Sequence, residues 1–249
     1  QTGFDRNFWI WEEYNPENKY LMVGDVARGD GNDYSGFHII KLENMEVVAE
    51  YQGKMSPDHF APFLVSNGKQ YGECMMVVEN NNIGYTVLEK VKDLGYANVY
   101  HSVKTTHEYV EQHLAEHRSN CVPGFTTSGK TRPMILAKLE EFIRNDIIKL
   151  HSSRLLNELK TFVWNNNKPE AMRGYNDDLV MALAIACWVR DTALTVNQRD
   201  VEYAKAMVNS MLKGGTTIST TIPGMTGHKD TKRRKQIKQT QEFAWLFKG

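Results

Sequence analysis

Cysteine is scarce. Three residues, Cys74, Cys121 and Cys187, stand far apart in 249, with no CxxC pair. That excludes a disulfide framework and a zinc ribbon, and it suits a reducing compartment. Long apolar runs are also missing. The longest, Leu179 to Val189, is eleven residues, about half of what a bilayer-spanning helix needs. Net charge is absent, because Lys+Arg and Asp+Glu both total 30. No internal repeat is visible. The chain begins at Gln1 without a basic-then-apolar leader, and is expected to be an excised fragment.

The composition, 41% hydrophobic and 24% charged, is that of a globular protein with room for one large domain or two small ones. The charge balance is uneven. Residues 229–240 carry six Lys/Arg and one Asp, which leaves residues 1–228 net acidic. Within that body, residues 126–173 hold nine Lys/Arg against five Asp/Glu. A neutral protein with such local excesses can present a basic face to a polyanion.

Residues 1–18, with Phe4, Phe8, Trp9, Trp11 and Tyr14, read as a lead-in segment that packs on the domain. Strands are predicted near 19–25, 35–42 and 46–52. Ser56-Pro57-Asp58 resembles a helix start, although Pro62 argues against a helix running through it. Cys74 to Val78 is a continuous apolar run, as in a strand covered on both faces. A helix over 83–94 and a strand over 99–103 follow, then a polar, His-rich stretch over 104–123, irregular or locally helical. Residues 131–144 carry an amphipathic stripe. A short strand at 147–150, a helix capped at Ser152 or Ser153, and an extended 161–164 come next. Asn176-Asp177-Asp178 caps a last helix through Arg190, apolar nearly all round and hence buried. Residues 214–231 are rich in Gly and Thr and read as a linker before the basic run. The expected division is a lead-in over 1–18, a domain over 19–213, and a linker with basic tail over 214–249. Strands first, then strands alternating with helices, predict an α/β domain around a mixed sheet.

Three acidic sites stand out. Asp25 ends an apolar strand where a carboxylate is costly without a cation or donors. Glu79 ends the second apolar run. Asp177 and Asp178 open the apolar helix, where one acid would suffice as a cap. Acids that converge at the edges of buried elements repel one another unless a divalent cation neutralises them. Mg²⁺ and Mn²⁺ favour such oxygen ligands. Two ions held about 4 Å apart can activate water and stabilise the leaving oxygen of a phosphodiester.

GDVARGDGNDYSG at 24–36, VVENNNIGYTVLEKV at 77–91, PGFTTSGKTRP at 123–133, LLNELKTFVW at 155–164 and GYNDDLVMALAIACWV at 174–189 together resemble the C-terminal nuclease domain of the large terminase subunit of tailed bacteriophages, closest in pattern to the T-even type. The resemblance extends across most of residues 20–190. It implies an RNase H/resolvase-like α/β fold, a central mixed sheet flanked by helices. It also implies metal-dependent cutting of concatemeric viral DNA, with Mg²⁺ or Mn²⁺, two ions expected, as cofactor. The implied partners are double-stranded DNA, the capsid portal, an upstream ATPase motor domain and the small terminase subunit. The implied place is the prohead portal in the host cytoplasm, with no membrane. Carried over by position, Asp25, Glu79 and one or both of Asp177 and Asp178 are catalytic metal ligands, Asp177 being preferred as the inward one. Asp33 is a supporting acid. Charge and position alone nominate Lys130, Arg132, Arg144, Arg154, Lys160 and Lys168 as phosphate contacts, which bind without reading sequence.

Two further motifs compete. Gly124 to Thr131 matches the phosphate-loop pattern GxxxxGK[ST], but the residues before it make a poor buried strand. It is read as a polar loop whose Lys130 and Arg132 meet DNA. His113, Glu116 and His117 match the inverted zinc-protease pattern HxxEH, in a polar segment without an apolar stripe to anchor it. Two rival functions remain at this level: a junction resolvase or transposase of the same fold, and a non-catalytic module docking on DNA or portal through the basic tail and the patch Phe243 to Phe247.

Overall fold

The computed structural model describes residues 6–29, 31, 33–104, 109–110, 112–115, 119–165 and 168–191. These all lie within one compact unit spanning Gln1–Asp200. The linker, the basic tail, and Glu116 and His117 of the HxxEH motif fall outside the described residues.

The core is a five-stranded sheet. Its strands are β1 (Phe8–Ile10), β2 (Tyr20–Asp25), β3 (Ser35–Lys41), β4 (Glu46–Gly53) and β5 (Met75–Val78), in the order β1-β4-β3-β2-β5. The first four are antiparallel neighbours, and β5 lies parallel to β2 with Gly24 opposite Val78. A parallel edge needs a crossover, supplied by helix α1 (Pro57–Gln70). Helix α2 (Ile83–Asp93) then packs beside it.

Period-two alternation sorts the strand side chains to opposite faces. Met22, Ile39, Tyr51, Met76 and Val78 meet Phe60 and Leu64 of α1 and Val87 and Val91 of α2. Leu21, Val23, Ile40, Val47 and Val77 face the other way. There they meet α4 (Thr131–Arg144), α5 (Ser153–Thr161) and the last helix among the described residues, α6, helical from residue 178 through 191. Both faces are therefore covered, which is why β2 and β5 read as unbroken apolar runs. Between α2 and α4 lies a small sheet of β6 (His101–Val103), β7 (Tyr109–Val110) and β8 (Cys121–Pro123), with helix α3 (Gln112–Ala115) beside it. A hairpin of β9 (Phe162–Asn165) and β10 (Lys168–Ala171) follows α5.

Three sequence expectations change here. Helix α1 starts at Pro57 and runs through Pro62. The lost hydrogen bond and ring clash cost about 3 kcal/mol. Burial of Phe60, Leu64 and Val65 outweighs that at about 1.5–3 kcal/mol per side chain. Residues 147–150 form a single bridge, Glu46 to Lys149, in place of a strand. The lead-in is part of the sheet itself, since β1 pairs with β4.

One polar network runs through this core. Glu50 and His38 are fully buried on adjacent strands, with Oε2 and Nδ1 3.6 Å apart. Glu50 accepts from Ser152 Oγ at 2.6 Å and Arg154 Nε at 3.0 Å. The Arg154 guanidinium stacks 3.9 Å over Trp9 and donates to the Asn7 carbonyl. A buried carboxylate needs such partners, and Arg154 is consumed by them. It is a structural cation, which corrects its nomination as a DNA contact.

Candidate active site

The acidic centre follows from strand parity. Asp25 continues the Leu21–Val23 face of β2, and Glu79 continues the Val77 face of β5, so both carboxylates emerge on the α6 side. The parallel register sets them next to each other, and the Glu79 N–H extends the ladder by donating to the Gly24 carbonyl at 2.9 Å. Gly36 lies opposite Asp25 on β3. A Cβ there would stand 3.0 Å from Leu179, so the bare backbone at 36 lets the start of α6 come close to the sheet. That brings in Asp178, the first helical residue of α6.

Asp25, Glu79 and Asp33 line one cleft of roughly 380 Å³ with Arg28, Asn81 and Asn82. Burial, the neighbouring charges of Glu79 and Asp178, and a hydrogen bond to Glu79 push the Asp25 carboxyl well above the usual range. Burial raises Asp178 to about 7, opposed by the Tyr34 N–H donating at 3.2 Å and reinforced by the charges of Asp177 and Asp33. Glu79 is held from outside: Asn81 Nδ2 donates to its Oε1 and to the Thr127 carbonyl, both at 2.8 Å.

The adjacent acids part company. Asp178 lies within charge range of Asp25, whereas Asp177 meets Arg132 NH2 at 2.6 Å. The preference for Asp177 as the inward member is reversed. Among the described residues, no Lys, Arg or His forms an ion pair with Asp25, Asp33, Glu79 or Asp178. No three His, Cys, Asp or Glu side chains there stand close enough to hold an ion as they are. The donor set nonetheless fits a divalent cation: oxygen only, uncompensated, with two carboxyls in hydrogen-bond contact and a third within charge range.

Of the nominated cations, Lys130 and Lys160 are exposed. Arg132 is engaged with Asp177 and the Pro169 carbonyl. Arg144 pairs with Glu140 and Lys168 with Glu170, both at the surface, where such pairs are worth little. Arg28 escaped the sequence reading although it stands three residues after Asp25. It borders the cleft, exposed, and has no ion-pair partner among the described residues.

The GxxxxGK[ST] loop is occupied with itself. Thr131 Oγ1 accepts from Ser128 N at 2.7 Å and donates to the Thr126 carbonyl, while Ser128 Oγ accepts from Thr131 N. The Thr131 hydroxyl and the amides of Ser128 and Thr131, which a phosphate loop would offer, are taken. Calorimetric titration with Mg-ATP is expected to show no binding below millimolar concentration. Micromolar binding lost in Lys130→Ala would overturn this.

A mixed sheet covered on both faces, with acids at the ends of two parallel strands and at the start of a covering helix, places the chain in the RNase H-like fold class. No family model matches the sequence. Among solved structures it is similar to the large terminase nuclease from thermophilic phage G20c with bound cobalt, at 18% identity and TM-score 0.58, over 75% of this chain and 88% of that one. The same nuclease with bound magnesium matches at 17% identity and TM-score 0.58. The Thermus phage P74-26 large terminase nuclease domain matches at 17% identity and TM-score 0.54, over 72% of this chain and 84% of that one. Likeness at this level of identity establishes the shared fold.

Proposed function

We propose that this chain is the metal-dependent DNA endonuclease domain of a phage packaging terminase, of the T-even type that its sequence motifs resemble. The observation that carries the reading is that Asp25, Glu79 and Asp33 line one cleft, with Asp178 within charge range of Asp25, and that none of the four forms an ion pair among the described residues. Like charges at that spacing are tolerable only with shared protons or bound cations. The likeness to nucleases solved with cobalt and magnesium supports the second.

Asp25, Glu79 and Asp178 would hold Mg²⁺ or Mn²⁺, two ions on this reading, and Asp33 would keep the rim acidic. The bound ions supply an activated water and neutralise charge on the phosphate. Asn81 fixes the Glu79 carboxylate by tying it to the 126–128 loop. Arg28 faces the phosphodiester as a non-specific contact, and Lys130 and Lys160 extend the track. Residues 1–18 would lead from an upstream motor, and residues 214–249 would serve as linker and basic tail for DNA or portal.

Plasmid nicking by the purified chain, supported by Mg²⁺ or Mn²⁺ and abolished by a chelator, tests the reading. A chain that binds DNA but never nicks under either metal would favour a docking module. Within the same assay, Arg28→Ala is expected to raise half-saturation for DNA about fivefold and to lower the salt slope of binding by about one. An unchanged salt slope would remove Arg28 from the interface.

A further inference from the structure

Helix α6 carries Asp178 to within charge range of Asp25, yet its free N-terminal amides are not capped locally. Asp177 occupies the N-cap position, since its carbonyl accepts the first helical bond from Met181 N at 2.8 Å. A side chain there would ordinarily accept from the N–H groups two and three residues on. Those are Leu179 and Val180. Asp177 instead reaches Arg132, and Asp178 accepts from Tyr34 N.

The two amides are met from another element. Glu158 of α5 places Oε2 3.0 Å from Leu179 N and 3.2 Å from Val180 N, while its Oε1 accepts from Gln52 Nε2. The Glu158 side chain is only 8% exposed and has no ion-pair partner among the described residues. Such burial of a carboxylate is costly, and the hydrogen bonds offset only part of that cost. From the sheet side, His38 Nε2 donates to the Leu179 carbonyl at 2.9 Å. Residue 179 is thus pinned at both its N–H and its C=O, one residue after Asp178.

We propose that Glu158 is a positioning residue for the metal site: it caps α6 in place of Asp177, fixes the backbone at 179–180, and so holds Asp178, the residue before them, beside Asp25. This rests on the reading of Asp178 as a metal ligand. A cap supplied by α5 fixes the backbone at 179–180 and with it the direction in which the side chain at 178 leaves the helix. Support that orients a ligand without touching the metal is worth about 10–100-fold in metal affinity.

The test uses the full 249-residue chain and Mn²⁺ alone, titrated by calorimetry without DNA. Glu158→Leu removes the acceptor. Glu158→Asp keeps a carboxyl group but is one methylene too short to reach the amides. Glu158→Gln keeps an acceptor oxygen. Leu and Asp variants are expected to weaken Mn²⁺ binding at least about tenfold, and the Gln variant is expected to stay within about threefold of the parent. The Mn²⁺ concentration at half-maximal nicking should move in step. Amide exchange at 179 and 180 should quicken in the Leu and Asp variants only. If Glu158→Leu does not fold, the Asp variant carries the comparison.

Unaltered Mn²⁺ affinity in the Asp variant, with fast exchange at 179 and 180 and with Asp178→Asn still weakening the metal, makes Glu158 a plain structural cap and overturns the proposal alone. A parent chain that takes up no Mn²⁺, or an Asp178→Asn variant that binds it normally, overturns the metal-site reading and the proposal together.

Discussion

Asp25→Asn is expected to abolish metal-dependent nicking while the fold survives. The loss should be at least about a thousandfold, equivalent to about 4 kcal/mol of transition-state stabilisation. The amide keeps the shape of the side chain and removes one charge from a cluster of like charges. The metal-free thermal midpoint should therefore hold or rise by a few degrees. The pH dependence follows from the same acids. Asp25 is raised well above its ordinary range, Asp178 from 3.8 to about 7, and Glu158 from 4.5 to about 8. Each binds its proton more tightly in the folded state. Their contribution to stability is complete below the ordinary carboxylate pKa and is lost as pH rises through the raised values. In chelator, the parent chain should lose stability progressively between about pH 4 and pH 8. Mg²⁺ should restore it at the upper end, and Asp25→Asn should flatten the decline and respond little to Mg²⁺. DNA binding should persist, because basic residues elsewhere provide it. Robust nicking by the variant, freed of contaminating nucleases, would falsify the site.

Gly84→Ala should be as damaging from a position that bears no chemistry. Alanine at a helical position normally stabilises by about 1 kcal/mol relative to glycine. Here an added Cβ would fall 1.7 Å from the Glu79 carbonyl oxygen and 3.9 Å from Val78. The obstacle is backbone, so no rotamer change relieves it. Either α2 backs away from the end of β5 or the Glu79 peptide turns. The expected cost is about 3 kcal/mol, the upper end for overpacking, or roughly 6–12 °C in the thermal midpoint for a chain of this size. Nicking should drop further than the unfolded fraction explains, because Glu79 moves with its carbonyl. Equal losses of folded protein and activity would show that Gly84 serves packing alone.

The sequence carried the elements whose cause is local. Strands β2 and β5 are covered on both faces, and their unbroken apolar letters say so. Helix α4 shows its stripe and begins and ends at 131 and 144, where the pattern placed it. Strand β1 is three residues long and gains its stability from β4, about forty residues further along the chain, so no local periodicity marks it. Pro62 misled because its penalty is local whereas the burial that overrides it is tertiary. At the site, the acids themselves were legible as charges at the edges of apolar runs. Which of Asp177 and Asp178 turns inward was not, because Arg132 and Tyr34 decide it, 45 and 144 residues away. The same holds for Arg154, indistinguishable in sequence from a surface cation until Glu50 and Trp9 are seen around it. Glu158 sat within a recognised stretch and carried no assigned role, since its partners belong to another helix.

The three acids lie at positions 25, 79 and 178, on a strand end, the neighbouring strand end and the last described helix. During synthesis the first two emerge early and pair as soon as β2 and β5 form. The third arrives about a hundred residues later, and docking it requires closing the whole intervening loop. A nascent or truncated chain that ends before residue 178 has two acids on neighbouring strands and nothing to complete them. On the proposed reading, a copy that stops before residue 178 would lack the third acid and with it the cutting centre.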